Sequence, residues 1–448
     1  MTDDTLETMA AGMTGKFWWL IEGVPQQPHT SGHIRRDEDG YWVVEVEGWR
    51  SMESATKSDD ESYPDSMMGV LGKGTVFLSD RRRLTDFSLW SGQRIHVVRS
   101  TFETAVTGLD VNTVEADGII EAEVLFPNQN PWDRSERPNW RYREADDPLG
   151  PGATLDLPTT AATRLAVGRG VTLTVRSTWW SDRVIEQVRI HPALSLQLSA
   201  DEPEPTANLV ETFEWMQDLI GHCWGGRVLP VPGAGKVNAA QEEPGRFWSQ
   251  RLFERHHVQL ANLSHPFPAV HLPDLGGPRA FVRWLILCRH FSRATRAVSE
   301  GLYVGASAET RLLNTMAAIE YWVKRHEARP DWVKVQSTGP VNPMHALIRH
   351  LKPAFKEWVR DGAPFSQRIW NDYNWLKHNP AFEIDYTLVR RFTWAAETML
   401  LADLLNEVAG TAVPGNRLAT HHWRLRDAVQ ELLRDKSRSA PPPKWTSP

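Results

Sequence analysis

Apolar and polar residues alternate with a period of two along most of the segment from residue 13 to about 200. Trp42, Val44 and Val46 point to one side of a predicted strand, while Glu45 points to the other. The same alternation recurs at 120–126 and 171–176, and short Gly-, Asp- and Pro-containing turn signals separate the runs. This pattern predicts an N-terminal β-sandwich or barrel-like domain over 13–204.

The period becomes helical from about residue 279. Five helices are predicted, at 279–300, 308–326, 343–360, 365–378 and 385–409. In the third, Met344, Leu347 and Leu351 recur at spacings of three and four, Asn342 is the expected N-cap and Pro343 takes the first helical position. An all-α bundle is therefore expected over 279–410, and the fold class is α+β multidomain.

The remaining segments carry weaker signals. Residues 1–12 are predicted to be disordered, and 205–278 to form an α/β connector packed on the N-terminal domain. The sequence of 233–236, Gly-Ala-Gly-Lys, only partly matches a phosphate-binding loop, so we interpret it as an ordinary loop. Residues 411–448 are expected to form a short helix and a disordered tail, because the end of the chain is rich in proline and charge.

Composition limits the classes of function. The formal net charge is −6 and the pI is about 6.3, so contact with a nucleic acid requires a local basic patch. The two cysteines, Cys223 and Cys288, are far apart and give neither a disulfide framework nor a cysteine zinc site. An acidic start without a signal peptide, and the lack of a membrane-spanning apolar run, favour a cytoplasmic location without membrane contact. No metal or cofactor is expected.

The predicted helix at 365–378 has two different faces. Its apolar stripe consists of Ile369, Tyr373 and Leu376, and its polar side presents Asn371, Asn374 and His378. Asn379 precedes Pro380 and leaves the helical region, so His378 belongs to the last turn, where the helix dipole favours a cationic imidazole. A histidine in this position near a phosphate could transfer protons around neutral pH.

These residues carry a resemblance to a known family. The pattern Asn374-x-x-Lys377-His378 within a helical bundle resembles the HEPN superfamily, whose ribonucleases carry a motif of the form R-N-x-x-x-H. The segment 312–322 resembles the preceding helix of ApeA-like HEPN domains. Segments 15–20, 41–47, 73–78 and 118–132 resemble that family's N-terminal domain in the same order. The resemblance covers most of residues 13–410.

The resemblance implies a cytoplasmic anti-phage effector that causes abortive infection as an RNA-cleaving toxin. The implied enzyme is a metal-independent endoribonuclease in which the ribose 2′-hydroxyl attacks the neighbouring phosphate and His378 transfers protons beside Asn374. Tyr373 stands where the family has its catalytic arginine, so Lys377 or Arg368 would have to supply the positive charge. The implied partners are RNA, with tRNA among the candidates, a phage trigger, and a second copy that brings two His378 side chains together.

Four alternatives remain open at this stage. The bundle could be a catalytically degenerate HEPN domain that binds RNA or a protein without cutting, which Tyr373 favours. The 21 tryptophans could form a carbohydrate- or base-stacking platform, although core packing explains most of them more simply. His378 could be an ordinary helix terminus. Arg81–Arg83 could contact phosphate, although a solvated loop is the default interpretation.

Overall fold

The computed structural model describes residues 4–26, 29–47, 64–72, 74–90, 94–110, 116, 118–127, 139–143, 152–157, 160–168, 170–184, 187–254, 268–303, 306–336, 342–351, 355, 363–379 and 385–421. These residues form two compact units. The β unit contains the described residues within 4–217 and 228–254, and the helical unit contains those within 218–227 and 268–421. The predicted order, a β-rich region followed by a helical region, is confirmed. Residues of the predicted connector contribute to both units.

The β unit contains the following elements: α1 (Asp4–Ala11), β1 (Met13–Ile21), β2 (Val24–Pro25), β3 (Thr30–Arg36), β4 (Trp42–Glu47), β5 (Ser66–Leu71), β6 (Gly74–Trp90), β7 (Arg94–Leu109), β8 (Ile119–Pro127), β9 (Asn139–Arg143), β10 (Gly152–Asp156), β11 (Thr163–Gly168), β12 (Val171–Val184), β13 (Gln187–Glu204), β14 (Val231–Lys236), β15 (Gly245–Ser249) and α3 (Gln250–Phe253). Helix α2 (Thr206–Trp224) begins in this unit, and the division between the units falls after Gln217.

Six strands of the β unit pair in a closed ring in the order β7, β4, β3, β1, β5 and β6, with β6 returning to β7. The residues predicted to point inward on β4 are buried: Trp42, Val44 and Val46 are at most 2% exposed. They pack in one apolar cluster with Phe17 and Phe102. The two-residue period thus produces the core because every second side chain of each strand faces the same side.

A second group of strands extends from β7 through β15, β14, β8, β13 and β12 to β11, while β9 and β10 form a separate hairpin. Gly233–Lys236 lies in β14, which pairs with β8 and β15, so our interpretation of this segment as a loop is wrong. Gly233 is required there, because a Cβ atom would lie 2.5 Å from the carbonyl oxygen of Glu123. Residues 233–236 are therefore part of the sheet.

The prediction of disorder for residues 1–12 is wrong where the structure describes them. Helix α1 covers Asp4–Ala11, and its Met9 is fully buried in the apolar cluster of the ring. Leu6 and Ala10 pack against the same cluster, and these tertiary contacts order a short terminal helix that propensity alone would leave unfolded.

The helical unit contains a 3-10 turn at Leu272–Leu275 and the helices α4 (Arg279–His290), α5 (Ser292–Tyr303), α6 (Ala308–His326), α7 (Pro330–Gln336), α8 (Pro343–His350), α9 (Ala363–His378), α10 (Tyr386–Ala409) and α11 (Val413–His421). The predicted bounds of α6 are confirmed. Helix α10 is the centre of the unit and packs against α4, α5, α6, α8 and α11. Asp385 caps its start, and Gly410 ends it in the left-handed conformation with φ of 69°.

Two predicted helices differ from the structure. The single helix predicted over 279–300 is two helices, because Phe291 leaves the helical conformation and its ring packs against Trp322, with the ring centroids 5.0 Å apart. The helix predicted over 343–360 is seen as α8, and most of its remaining residues, including Pro353, lie outside the described residues. None of the helices that the structure describes has the length and apolar character needed to cross a membrane.

Candidate functional site

Helix α9 carries the four residues predicted to form the site. It packs against α6 and α8, and its apolar stripe is buried: Ile369 is 0% and Tyr373 is 2% exposed. Leu376, the third member of the predicted stripe, is only half-buried. The ring of Phe365 also contacts that of Phe392 on α10, with their centroids 6.2 Å apart. These contacts hold the helix firmly and leave its last turn at the surface.

Lys377 and His378 are both exposed in this last turn. His378 has no side-chain partner in the part of the chain that the structure describes, so its ring is open to a ligand. Asn374 is half-buried one turn earlier. Asn371 is also half-buried and accepts a hydrogen bond of 2.8 Å from the side chain of Gln367. The end of α9 therefore presents an imidazole, an ammonium group and an amide.

Lys377 interacts with Tyr373, one turn earlier on α9. Its Nζ donates a hydrogen bond of 3.3 Å to the Tyr373 hydroxyl and lies 5.3 Å from the centroid of that ring. The hydrogen bond to Tyr373 raises the pKa of Lys377, and the charge of Glu320 on α6 contributes in the same direction. Lys377 is consequently a cation throughout the neutral range, positioned beside His378.

Arg368 is separated from this end of the helix. The Nε of Arg368 lies 3.2 Å from Oδ2 of Asp372, which is 7% exposed. The positive charge of Arg368 is therefore paired with this carboxylate, one turn further along α9. Ten residues of helix place Arg368 about 15 Å from His378 along the axis. The structure thus brings Lys377 and His378 together on one turn and leaves Arg368 outside that group.

The other histidines of the helical unit provide a comparison with His378. Among those whose side chains the structure describes, only His290 and His378 are exposed. His326 is 1% exposed, and His222 is 3% exposed with its Nε2 3.1 Å from the Ser299 hydroxyl. Accessibility to a substrate therefore favours His378 and His290 over the remainder.

Sequence reasoning missed a polar cluster around His350. Its Nδ1 lies 2.8 Å from Oδ1 of the buried Asp403, and its Nε2 lies 3.0 Å from Oδ2 of Asp331. The second oxygen of Asp403 accepts a hydrogen bond of 2.7 Å from the Trp322 indole. The imidazole stacks on Trp332, with ring centroids 4.1 Å apart. Both ring nitrogens are occupied by carboxylates, so this cluster joins α6, α7, α8 and α10 and offers no free proton-transfer group.

The charge state of His350 follows from these contacts. Burial lowers the pKa of His350, but the hydrogen bond to Asp403 and its charge, together with Asp331, outweigh burial and raise the pKa to about 9. His350 is therefore an imidazolium at neutral pH. The neighbouring His326 behaves in the opposite way, because burial lowers its pKa while its Nδ1 contacts the Trp322 carbonyl oxygen at 2.8 Å. One signal could have revealed the cluster: Asp403 is a lone acid in an apolar run, and a buried acid requires a partner.

The other candidate features of the sequence have structural roles. Among the side chains whose burial the structure describes, seven tryptophans are at most 4% exposed, so packing accounts for them: Trp19, Trp42, Trp224, Trp248, Trp284, Trp322 and Trp332. The basic run Arg81–Arg83 lies in β6 and not in a loop. Within it, Arg82 forms an ion pair of 2.7 Å with the buried Glu103. This run is thus at least partly neutralised within the β unit.

Within the described ranges, no group of three or more histidine, cysteine, aspartate or glutamate side chains is arranged to hold a metal ion. Comparison with known proteins gives no relative: no family model, curated protein or solved structure matches this chain.

Proposed function

We propose that this chain is a HEPN-type ribonuclease effector of bacterial anti-phage defence, in which the helical unit cleaves RNA and the β unit senses infection or regulates cleavage. One observation carries the proposal: the last turn of α9 exposes His378 beside the cationic Lys377, while the opposite face of the helix is buried. A phosphodiester requires both a proton-transfer group and a positive charge, and this turn supplies them together.

The chemistry needs no group beyond the chain and the RNA. A base removes the proton of the ribose 2′-hydroxyl, and the oxygen attacks the adjacent phosphorus. The bond from phosphorus to the 5′-oxygen breaks, an acid protonates that oxygen, and the products are a 2′,3′-cyclic phosphate and a 5′-hydroxyl. His378 is assigned to proton transfer, Lys377 to the charge on the phosphate oxygens, and Asn374 to orienting the phosphate.

A homodimer through the helical unit completes this assignment. In-line attack places the 2′-oxygen and the departing 5′-oxygen on opposite sides of the phosphorus, so two copies of His378 facing each other can divide the two proton transfers. We propose such a dimer. Sedimentation at about 10–50 µM should show it, and a chain that is monomeric at these concentrations while cleaving RNA at full rate would contradict it.

A second function is favoured by Tyr373. The position that carries arginine in the family is 2% exposed in the bundle, and Arg368 is already paired with Asp372. A bundle that binds RNA or a protein partner without cleavage agrees with both observations. The two functions share the same surface and differ in whether His378 is needed for a change in the RNA.

The test uses the full chain with single-stranded RNA and tRNA. His378→Ala should lower the cleavage rate by about 10² to 10⁴, the usual cost of losing an acid–base group. Lys377→Ala should lower it comparably if Lys377 supplies the charge, whereas Tyr373→Phe should have a small effect. Gln367→Ala is the matched control, since Gln367 is exposed on the same helix three turns away. Tyr373→Arg is unsuitable because it would place a charge in a buried position.

Two outcomes separate the candidate functions. Wild-type protein that leaves both RNAs intact, including in phage-infected cells, would refute the ribonuclease and leave the binding function. Cleavage that survives His378→Ala would show that the site lies elsewhere.

A further inference from the structure

The exposed face of α6 extends the surface at the end of α9. Glu320, Lys324 and Arg325 are exposed, and Tyr321 is half-buried between them. The opposite face of α6 is buried and includes Leu312, Met316 and Ile319. Because residues four apart lie one turn above each other, this face consists of two adjacent rows: Glu320 with Lys324, and Tyr321 with Arg325.

Tyr321 holds two arginine side chains. The Arg325 Cζ lies 5.5 Å from the centroid of the Tyr321 ring, and the Cζ of Arg293, from α5, lies 5.7 Å from the same point. The two distances together limit the separation of the two carbons to about 11 Å. The tyrosine hydroxyl donates a hydrogen bond of 3.4 Å to the carbonyl oxygen of His290 at the end of α4. The ring of Tyr321 thereby contacts both guanidinium groups.

No residue that the structure describes neutralises these guanidinium groups. Neither Arg293 nor Arg325 has a carboxylate partner in the part of the chain that the structure describes, and the same is true of Lys324. Arg311, on the same helix, shows the usual alternative, because its Nη2 lies 2.6 Å from Oε2 of Glu397. Two positive charges on one ring that have no acidic partner among the described residues contribute little to stability. They are available to bind an anion from outside the protein.

This surface continues to the proposed site. Glu320 is close enough for its charge to raise the pKa of Lys377, and α9 packs against α6. The surface therefore carries four cationic side chains, in the order Arg293, Arg325, Lys324 and Lys377. Glu320 is an acid on this surface, and its single charge does not offset these four cations.

We propose that this surface, the basic track, binds the phosphates of one RNA strand and guides the strand to His378. The basic track is defined by Arg293, Tyr321, Lys324, Arg325 and Lys377. This inference rests on the proposed function and names the contacts by which the same site holds its substrate. An RNA strand fits better than an acidic protein, because a guanidinium group that stacks on an aromatic ring can bind a phosphate at its edge and stack on a base with its outer face.

The experiment measures binding separately from cleavage. The full chain carrying His378→Ala is titrated into a fluorescent single-stranded oligouridylate of about 20 nucleotides at several salt concentrations. Arg293→Gln with Arg325→Gln, added to this background, should weaken binding by at least about tenfold. The slope of log affinity against log salt should fall by about 1.4, since each single-strand phosphate contact contributes about 0.7.

Two further variants sharpen the test. Tyr321→Ala keeps both charges and removes the ring that holds them, so it should weaken binding while changing the salt slope much less. Arg279→Gln is the matched control, because Arg279 is also exposed, and it lies at the other end of α4, about 16 Å from His290 along the axis. It should leave affinity within about twofold.

The possible outcomes separate the basic track from the ribonuclease assignment. Loss of affinity confined to the Arg293, Arg325 and Tyr321 variants supports the basic track even if the wild-type protein never cuts RNA, in which case only the ribonuclease assignment fails. Equal affinity in the double variant and the Arg279→Gln control, with melting temperatures unchanged, overturns the inference even if cleavage is observed. Polyglutamate that binds the His378→Ala chain as tightly as RNA, with the same loss in the double variant, overturns RNA in favour of an acidic protein.

Discussion

Arginine is treated differently in the β unit and on the basic track. In the β unit, Arg82 pairs with Glu103 at 2.7 Å, Arg99 with Glu45 at 2.6 Å and Arg176 with Glu123 at 2.8 Å. On the basic track, Arg293 and Arg325 face an aromatic ring. Arginine thus pairs with an acid of another strand in these three places of the β unit and stays available on the basic track.

The difference shows that net charge is a poor guide to binding in this chain. A total of −6 predicts no attraction to phosphate. The acids counted in this total include Glu103, Glu45 and Glu123, which already pair with arginines of the β unit. These acids therefore do not neutralise the positive charges of the basic track. Paired charges should therefore matter for stability and the unpaired charges for binding. The following predictions test this division, in order of decreasing effect on stability.

Asp403→Ala should be the most damaging change, because it removes the partner of both Trp322 and His350 from a position that is 3% exposed. Breaking a buried charged pair on one side costs about 3–5 kcal/mol. Urea denaturation of the full chain should show this loss in the transition of the helical unit. Asp331→Ala is the control: Asp331 contacts the same imidazole, but its side chain is 58% exposed, and its loss should cost far less. Equal costs for the two variants would contradict the assignment.

The imidazolium of His350 should make stability depend on pH. Its pKa is raised from 6.5 to about 9 in the folded chain, so folding favours the protonated form. The contribution is fully present below pH 6.5, decreases between 6.5 and 9 and is lost above 9. A shift of this size corresponds to about 3 kcal/mol. Urea midpoints measured between pH 6 and pH 9.5 should decrease for the wild-type protein, and His350→Gln should remove most of that slope. A slope of the opposite sign would refute the arrangement.

A paired charge in the β unit should have an intermediate effect. Glu123 is 8% exposed and accepts hydrogen bonds from the Ser195 hydroxyl at 2.5 Å and from Arg176. Glu123→Gln removes the charge with little change of shape and should cost about 1.5–3 kcal/mol. Glu45→Gln affects a more exposed pair with Arg99 and should cost less than about 1 kcal/mol. Chemical denaturation of both variants provides the comparison, and a larger loss for Glu45→Gln would contradict it.

The part of the fold that follows from local periodicity could be predicted. The two-residue alternation at Trp42, Val44 and Val46 predicted a buried strand face, and the helical period predicted the bounds of α6. The break at Phe291 could not be predicted, since the sequence there has neither proline nor glycine and the cause is packing against Trp322. The partners of Glu123 could not be predicted, because they come from strands far away in sequence.

The candidate site was predictable to a similar extent. Helical spacing correctly separated the buried Tyr373 from the exposed His378. The contact between Lys377 and Tyr373, and the pairing of Arg368 with Asp372, depend on side-chain conformations that spacing does not define. The basic track escaped prediction because Arg293 and Arg325 meet only when α5 packs beside α6.

Arg325→Ala should have the smallest effect on stability of all these changes and, among them, the clearest effect on RNA affinity. Arg325 is exposed, and removing it loses one cation–π contact of about 0.5–1 kcal/mol while relieving repulsion with Arg293. The net change should stay below about 1 kcal/mol in urea denaturation. Binding of oligouridylate by the His378→Ala chain should nevertheless weaken, because the contact to phosphate has no replacement. A substantial loss of stability with unchanged affinity would place Arg325 among the structural arginines and remove the distinction between the two regions.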